Sequence, residues 1–195
     1  MFSQPDNIRF SLPTWLADYV GDQHYIKGIE QRMHFVIGAA RRNVLEKTGG
    51  PFAAAVFEVD SGKLISLGVN LVTSQGMSLL HAEIVALAVA QRKLGNYDLG
   101  AEGLARHEIV TSTEPCAMCF GAIPWSGVSR VLTGARDEDA RRIGFDEGPK
   151  VSDWCAALAD RQIEVIHDIR REEASRVLDE YLHAGGKIYN ARESG

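Results

Sequence analysis

Residues 108–134, EIVTSTEPCAMCFGAIPWSGVSRVLTG, read as a strand, a helix and a second strand in succession. The β-branched run at 108–111 gives way to Pro115, which suits a first helical turn because the amide proton it lacks would have no partner there. A helix is expected over 116–125 and a strand over 130–134. Two strands joined by a helical crossover lie parallel, since only antiparallel neighbours can be joined by a tight turn.

Working outward, residues 137–160 hold Gly144, Gly148 and Pro149 and should break into a loop with one or two helices before a strand at 163–166. That length again suits a parallel crossover. An amphipathic helix is expected over 171–184, then Gly185-Gly186 and a tail. Upstream, 81–94 is apolar nearly all round, as in a helix buried against a sheet. Apolar runs at 52–59 and 64–72, joined by Asp60-Ser61-Gly62, predict a hairpin. Residues 22–47 repeat apolar positions at helical spacing until Gly49-Gly50. This order predicts an α/β fold, a three-layer α/β/α sandwich on a mixed five-stranded sheet, with the first pair antiparallel and the later strands, including 4 and 5, parallel. The expected organisation is an arm over 1–22, whose apolar residues pack on a surface groove or a second subunit, one domain over 23–185, and a tail over 186–195.

The composition, 45% hydrophobic and 24% charged over 195 residues, is that of a globular chain with ample core material. A net charge of -5 and a pI near 5.7 disfavour a nucleic-acid footprint and favour a small substrate. Three cysteines, two of them in a C-x-x-C, fit a reducing compartment and a metal site better than a disulfide framework. The first residues carry no basic start or apolar run, and no stretch approaches a membrane span, so cytoplasmic residence is expected.

Cys116 and Cys119, three apart on a helix, project from one face and can grip one ion. The helix dipole at that end favours their thiolates, which are what zinc binds. His81 and Glu83 are two apart and can share a site only at a helix's first turn, looking past its end. Two helix starts would then converge above the carboxyl ends of parallel strands, where open α/β sheets bind ligands. Three protein ligands, His81, Cys116 and Cys119, leave a fourth position for water or hydroxide on a single Zn2+, the mark of a catalytic site. Glu83, beside the ligands, is placed to move protons.

H-x-E followed by P-C-x-x-C is the signature of zinc nucleobase deaminases. From about Gln31 onward the chain resembles the cytidine and deoxycytidylate deaminase superfamily. Glu114 to Cys119 followed by Gly121-Ala122-Ile123 is similar to the branch holding bacterial guanine deaminases and tRNA adenosine deaminases. Ile143-Gly144-Phe145-Asp146-Glu147 resembles a guanine-deaminase segment whose second acid assists proton transfer, here Glu147, one methylene longer than the family's aspartate. The resemblance implies substrate contacts at Asn70, Trp125, Phe52, Ala82, Asp146 and Tyr189, the last on a tail that such enzymes swap between the subunits of a homodimer. It implies conversion of guanine to xanthine and ammonia, with aminotriazines such as ammeline as an extension. The alternatives are tRNA adenosine deamination and a non-catalytic zinc-binding assembly domain. The resemblance says nothing of residues 1–22.

Overall fold

Alternation along the strands sets the layers. In the computed structural model, which describes residues 2–192, β1 (Ala53–Glu58) turns Ala53, Ala55 and Phe57 to one face of the sheet and Ala54 and Val56 to the other. This is the period of two that strand geometry imposes. Both sets are buried because helices cover both faces. β2 (Leu64–Val69), β3 (His107–Thr113), β4 (Arg130–Ala135) and β5 (Glu164–Ile166) complete one five-stranded sheet in the order β2-β1-β3-β4-β5. β1 runs antiparallel to β2 and β3, while β3–β4 and β4–β5 are parallel. The expected mixed sandwich, with strands 4 and 5 parallel, is what forms.

One face carries α2 (Ile29–Leu45) and α8 (Arg171–His183), joined by the short α1 (Trp15–Val20). The other carries α4 (Ala82–Leu94), α5 (Ala117–Ser126) and α7 (Trp154–Ala159). α3 (Val72–Gln75) and α6 (Asp137–Arg142) are short connectors. Among the described residues no helix is long and apolar enough to cross a membrane.

The structure corrects several boundaries. The helix expected from residue 22 begins at Ile29, after Gly28 at φ 81°. Residues 24–26 instead run along the hairpin, where the Ile26 amide donates to Gly62 O at 2.8 Å and the Leu64 amide to His24 O at 2.9 Å. Ile26 is buried there, which extended the apolar periodicity back without a helix beneath it. β3 runs on to Thr113 because the hydroxyls of Thr111, Ser112 and Thr113 tolerate burial in the sheet; Ser112 Oγ accepts from the Ala53 amide at 3.1 Å. Only the second half of the arm packs on its own chain, since residues 2–9 are exposed. Trp15 and Leu16 join the core under α2, with Trp15 Nε1 donating to Thr48 Oγ1 at 3.0 Å. At the other end, 186–192 folds back over the sheet's ligand edge, and the last part of the expected tail, 193–195, lies outside the described residues.

Candidate active site

The carboxyl ends of β2, β3 and β4 share one edge, and α4 and α5 start there. A Cβ on Gly68 would lie 2.5 Å from Ala82 O and from the Ala86 amide nitrogen. Only glycine therefore lets the first turn of α4 press onto β2. The sequence reading set His81 and Cys116 as the first helical residues; each is instead the N-cap, in extended backbone (φ -66°, ψ 154° and φ -63°, ψ 173°). An extended N-cap turns its side chain beyond the helix end. That is how two separate helices aim ligands at one point. Cys119, on the first turn of α5, supplies the third.

The three ligand atoms lie within 4.8 Å of one another, and Cys116 Sγ is 3.4 Å from His81 Nδ1. A hydrogen bond from the Cys119 thiol, and behind it His81, holds the Cys116 thiol down at about 4. The same bond, with burial, pushes Cys119 well up. Burial opposes charge on His81, but its hydrogen bond to Cys116 and the charge of Glu83 outweigh that and raise it. A compact pair of thiols and an imidazole at two positive helix ends is the donor set zinc selects.

Around this point lies a cavity of about 210 Å³. It is lined by His81, Cys116, Glu83 and Glu147 from the chemical end, and by Phe52, Asn70, Asp146 and Tyr189 from the rest. Burial, then the Cys116 charge, raises Glu83, while burial followed by Cys116 and Glu83 pushes Glu147 up to about 8. Both carboxyls thus hold a proton more tightly than an exposed glutamate does. Asn70 Oδ1 accepts from the Val72 amide at 3.2 Å, and its backbone carbonyl accepts from Asn43 Nδ2 at 3.0 Å. Its oxygen thus makes a local turn, and its Nδ2 hydrogens are the part it can offer to a ligand.

Two expected pocket residues lie elsewhere. Trp125 is 84% exposed on the outer flank of α5, outside the cavity, and the Ala82 side chain is fully buried under α4. The aromatic wall comes instead from Phe145, whose ring centroid is 5.0 Å from Phe52 and 4.9 Å from Tyr189. In sequence, Phe145 is marked by an apolar ring held between Gly144 and Gly148, beside the acids of the site. Asn190 carries no such mark: its Nδ2 donates to Gly144 O and its Oδ1 accepts from the Asp146 amide, both at 2.9 Å. It fastens the tail of the same chain to that segment. Tyr189 OH is buried and has no hydrogen-bond partner among the described residues.

The family model for the cytidine and deoxycytidylate deaminase zinc-binding region matches residues 27–135. A solved structure described as guanine deaminase from Nitrosomonas europaea superposes with a TM-score of 0.88 at 43% identity, covering 93% of this chain and all of that one. A guanine deaminase of Bacillus subtilis (strain 168) is 40% identical over 99 residues, 51% of this chain and 59% of that relative's length. A tRNA-specific adenosine deaminase of Haemophilus influenzae is 32% identical over 158 residues, 78% of this chain and 82% of the relative. The chain belongs to the cytidine and deoxycytidylate deaminase zinc-binding family.

Proposed function

We propose that this chain is a zinc-dependent guanine deaminase that converts guanine and water to xanthine and ammonia, a step of purine breakdown. The observation that carries the proposal is the cavity itself: two carboxyls with raised affinity for protons, Glu83 and Glu147, face the three metal donors across a space walled by Phe52, Phe145 and Tyr189. Guanine deaminases of 40% and 43% identity support the choice of base.

One zinc ion per chain, held by His81, Cys116 and Cys119 with water as the fourth ligand, would supply the Lewis acidity that brings a water's pKa towards neutrality. Glu83 takes a proton from the attacking water as it adds to C2 of the base and gives it to a ring nitrogen. The amino group then leaves as ammonia after accepting a proton, and Glu147 assists that transfer. Asn70 orients the ring through its Nδ2 donors, and Asp146 completes the edge. The aromatic wall excludes water from the faces of the base.

Purified protein with zinc should release ammonia from guanine. Glu83→Gln should lose about 10²- to 10⁴-fold in rate while keeping its metal. A wild type that leaves guanine untouched but deaminates ammeline, cytosine or adenine would overturn the choice of substrate.

The second reading, tRNA adenosine deamination, draws on the Haemophilus relative. The net charge of -5 weighs against it, since an RNA partner is gripped by a basic surface. Inosine formation in tRNA would support it. The assembly-domain reading leaves Glu83 without a purpose, because a structural zinc site needs no acid beside an open position.

Trp125 with its neighbours Phe120, Ala122 and Leu87 forms an apolar outer face suited to a homodimer. Three free thiols suit the cytoplasm. The catalytic domain over 23–185 is completed by Trp15 and Leu16 of the arm in its core and by Tyr189 and Asn190 of the tail at its cavity.

A further inference from the structure

Lysine is almost never fully buried unless paired, yet the Lys150 side chain is only 7% exposed. Its Nζ donates to Pro115 O at 3.0 Å, lies 3.2 Å from Asp137 Oδ1 and 3.5 Å from Glu114 Oε2, and stands 5.1 Å from the centroid of the Trp154 ring. These partners belong to separate segments. Glu114 and Pro115 form the turn that delivers Cys116, Asp137 opens α6, and Lys150 ends the segment that carries Glu147.

That segment needs anchoring. Gly144 at φ 106° and Gly148 at φ 70° bracket Glu147 with two left-handed bends of the kind that glycine supplies and that leave the backbone free to swing. On the near side Asn190 holds Gly144 O and the Asp146 amide. On the far side Arg141 Nη2 donates to Gly148 O at 3.0 Å, and the Ala117 amide donates to Glu147 O at 2.9 Å. Lys150 is the link from the far bend to the residue directly before a metal ligand. The Asp137 amide donates to Glu114 Oε2 at 3.2 Å, so the anchor's two acids are themselves tied together.

We propose that Lys150 is a positioning residue for the deamination: by gripping Pro115 O, Glu114 and Asp137, it fixes the Glu147 segment to the turn that presents Cys116. The inference rests on the proposed role of Glu147. The competing explanation, that Lys150 only neutralises two half-buried acids, requires a loss of stability with turnover intact.

The test compares zinc-loaded, full-length Lys150→Met and Lys150→Arg with wild type. Displacement of a positioned group by about an ångström lowers turnover by about a hundredfold, so Lys150→Met should lose about that much kcat on guanine. KM should stay within about threefold, as expected when an interaction serves the transition state more than binding. Zinc content should equal that of wild type. Hydrogen exchange at the Ala117 amide should speed up in Lys150→Met, and Lys150→Arg should restore both turnover and exchange most of the way. A Lys150→Met protein that melts lower yet keeps wild-type kcat, or one whose Ala117 amide exchanges at the wild-type rate, overturns the proposal. Wild-type protein inert towards guanine overturns the substrate reading instead, and the Ala117 exchange still decides whether Lys150 holds the segment. If Lys150→Met does not fold, Asp137→Asn removes one charged partner and should show the same pattern at a smaller amplitude, while unchanged Ala117 exchange in it counts against the anchor.

Discussion

Replacing Glu147 with glutamine should stabilise the metal-stripped protein, and by an amount that depends on pH. Burial first, then the charges of Cys116 and Glu83, move this carboxyl from 4.5 to about 8. An acid raised in the fold keeps its proton after the unfolded chain has released it. Below pH 4.5 its contribution to stability is fully present, and it is lost progressively as pH rises to about 8. Working the two binding curves through gives a penalty of about 1 kcal/mol at pH 5, about 3 kcal/mol at pH 7 and about 4 kcal/mol at pH 8. Glutamine keeps the shape of the neutral acid and cannot ionise in either state, so the substitution removes the penalty. For a chain of this size 1 kcal/mol moves the melting temperature by about 2–4 °C, so Glu147→Gln should melt about 6–12 °C higher at pH 7 and only a few degrees higher at pH 5. Thermal melts of the stripped wild type and variant from pH 5 to 8 measure this. A difference that does not grow with pH would refute the reasoning. Zinc adds a second limb. A divalent cation neutralises the two thiolates, so the contribution of Cys116 to the shift disappears and the gap should shrink in zinc-loaded protein. A gap equally large with zinc bound would show that Cys116 had been given too much weight.

The other predictions are shorter. Asn70→Ala removes the donor offered to the base and also frees the Val72 amide, so kcat/KM should fall by about 10- to 100-fold, the loss of one buried hydrogen bond or two. Tyr189→Phe removes a buried hydroxyl that has no partner among the described residues, which should stabilise the ligand-free protein by about 1 kcal/mol in melts, while KM rises if the hydroxyl serves bound substrate. Trp125→Glu puts a charge on the apolar outer face of α5 and should halve the mass measured by sedimentation; an unchanged mass would exclude that face as the homodimer contact. Chelation of zinc should abolish turnover, and zinc should restore it.

The readable parts of this chain are those in which chemistry and chain geometry share a short range. The spacing of Cys116 and Cys119, and the need for His81 and Glu83 to sit at a helix start, follow from a single turn of helix, and the structure brings all four together. The βα-β succession gave the parallel half of the sheet for the same reason. The hidden parts depend on contacts far apart in sequence. Asn190 reaches Gly144 across 46 positions and Lys150 reaches Pro115 across 35, and neither residue carries a local pattern that marks it. The edge segment around Ile26 misled for a related cause, because burial against the hairpin copied the period of a helix.

Trp125 is a different case, because elementary helix geometry already argued against the family resemblance. With about 3.6 residues per turn, each position advances about 100° around the axis, so Cys119 and Ile123 share a flank while residue 125 lies about 200° beyond Ile123. Cys119 faces the metal donors and Ile123 the core, both fully buried. A tryptophan on the opposite flank of α5 cannot line the cavity of its own chain. The helix is apolar on every side, so no polar face announced which flank was outermost. Because α5 turns Trp125 away, the cavity's flat apolar wall comes from across it, where Phe52, Phe145 and Tyr189 line it from a strand entrance, a glycine-flanked bend and the tail.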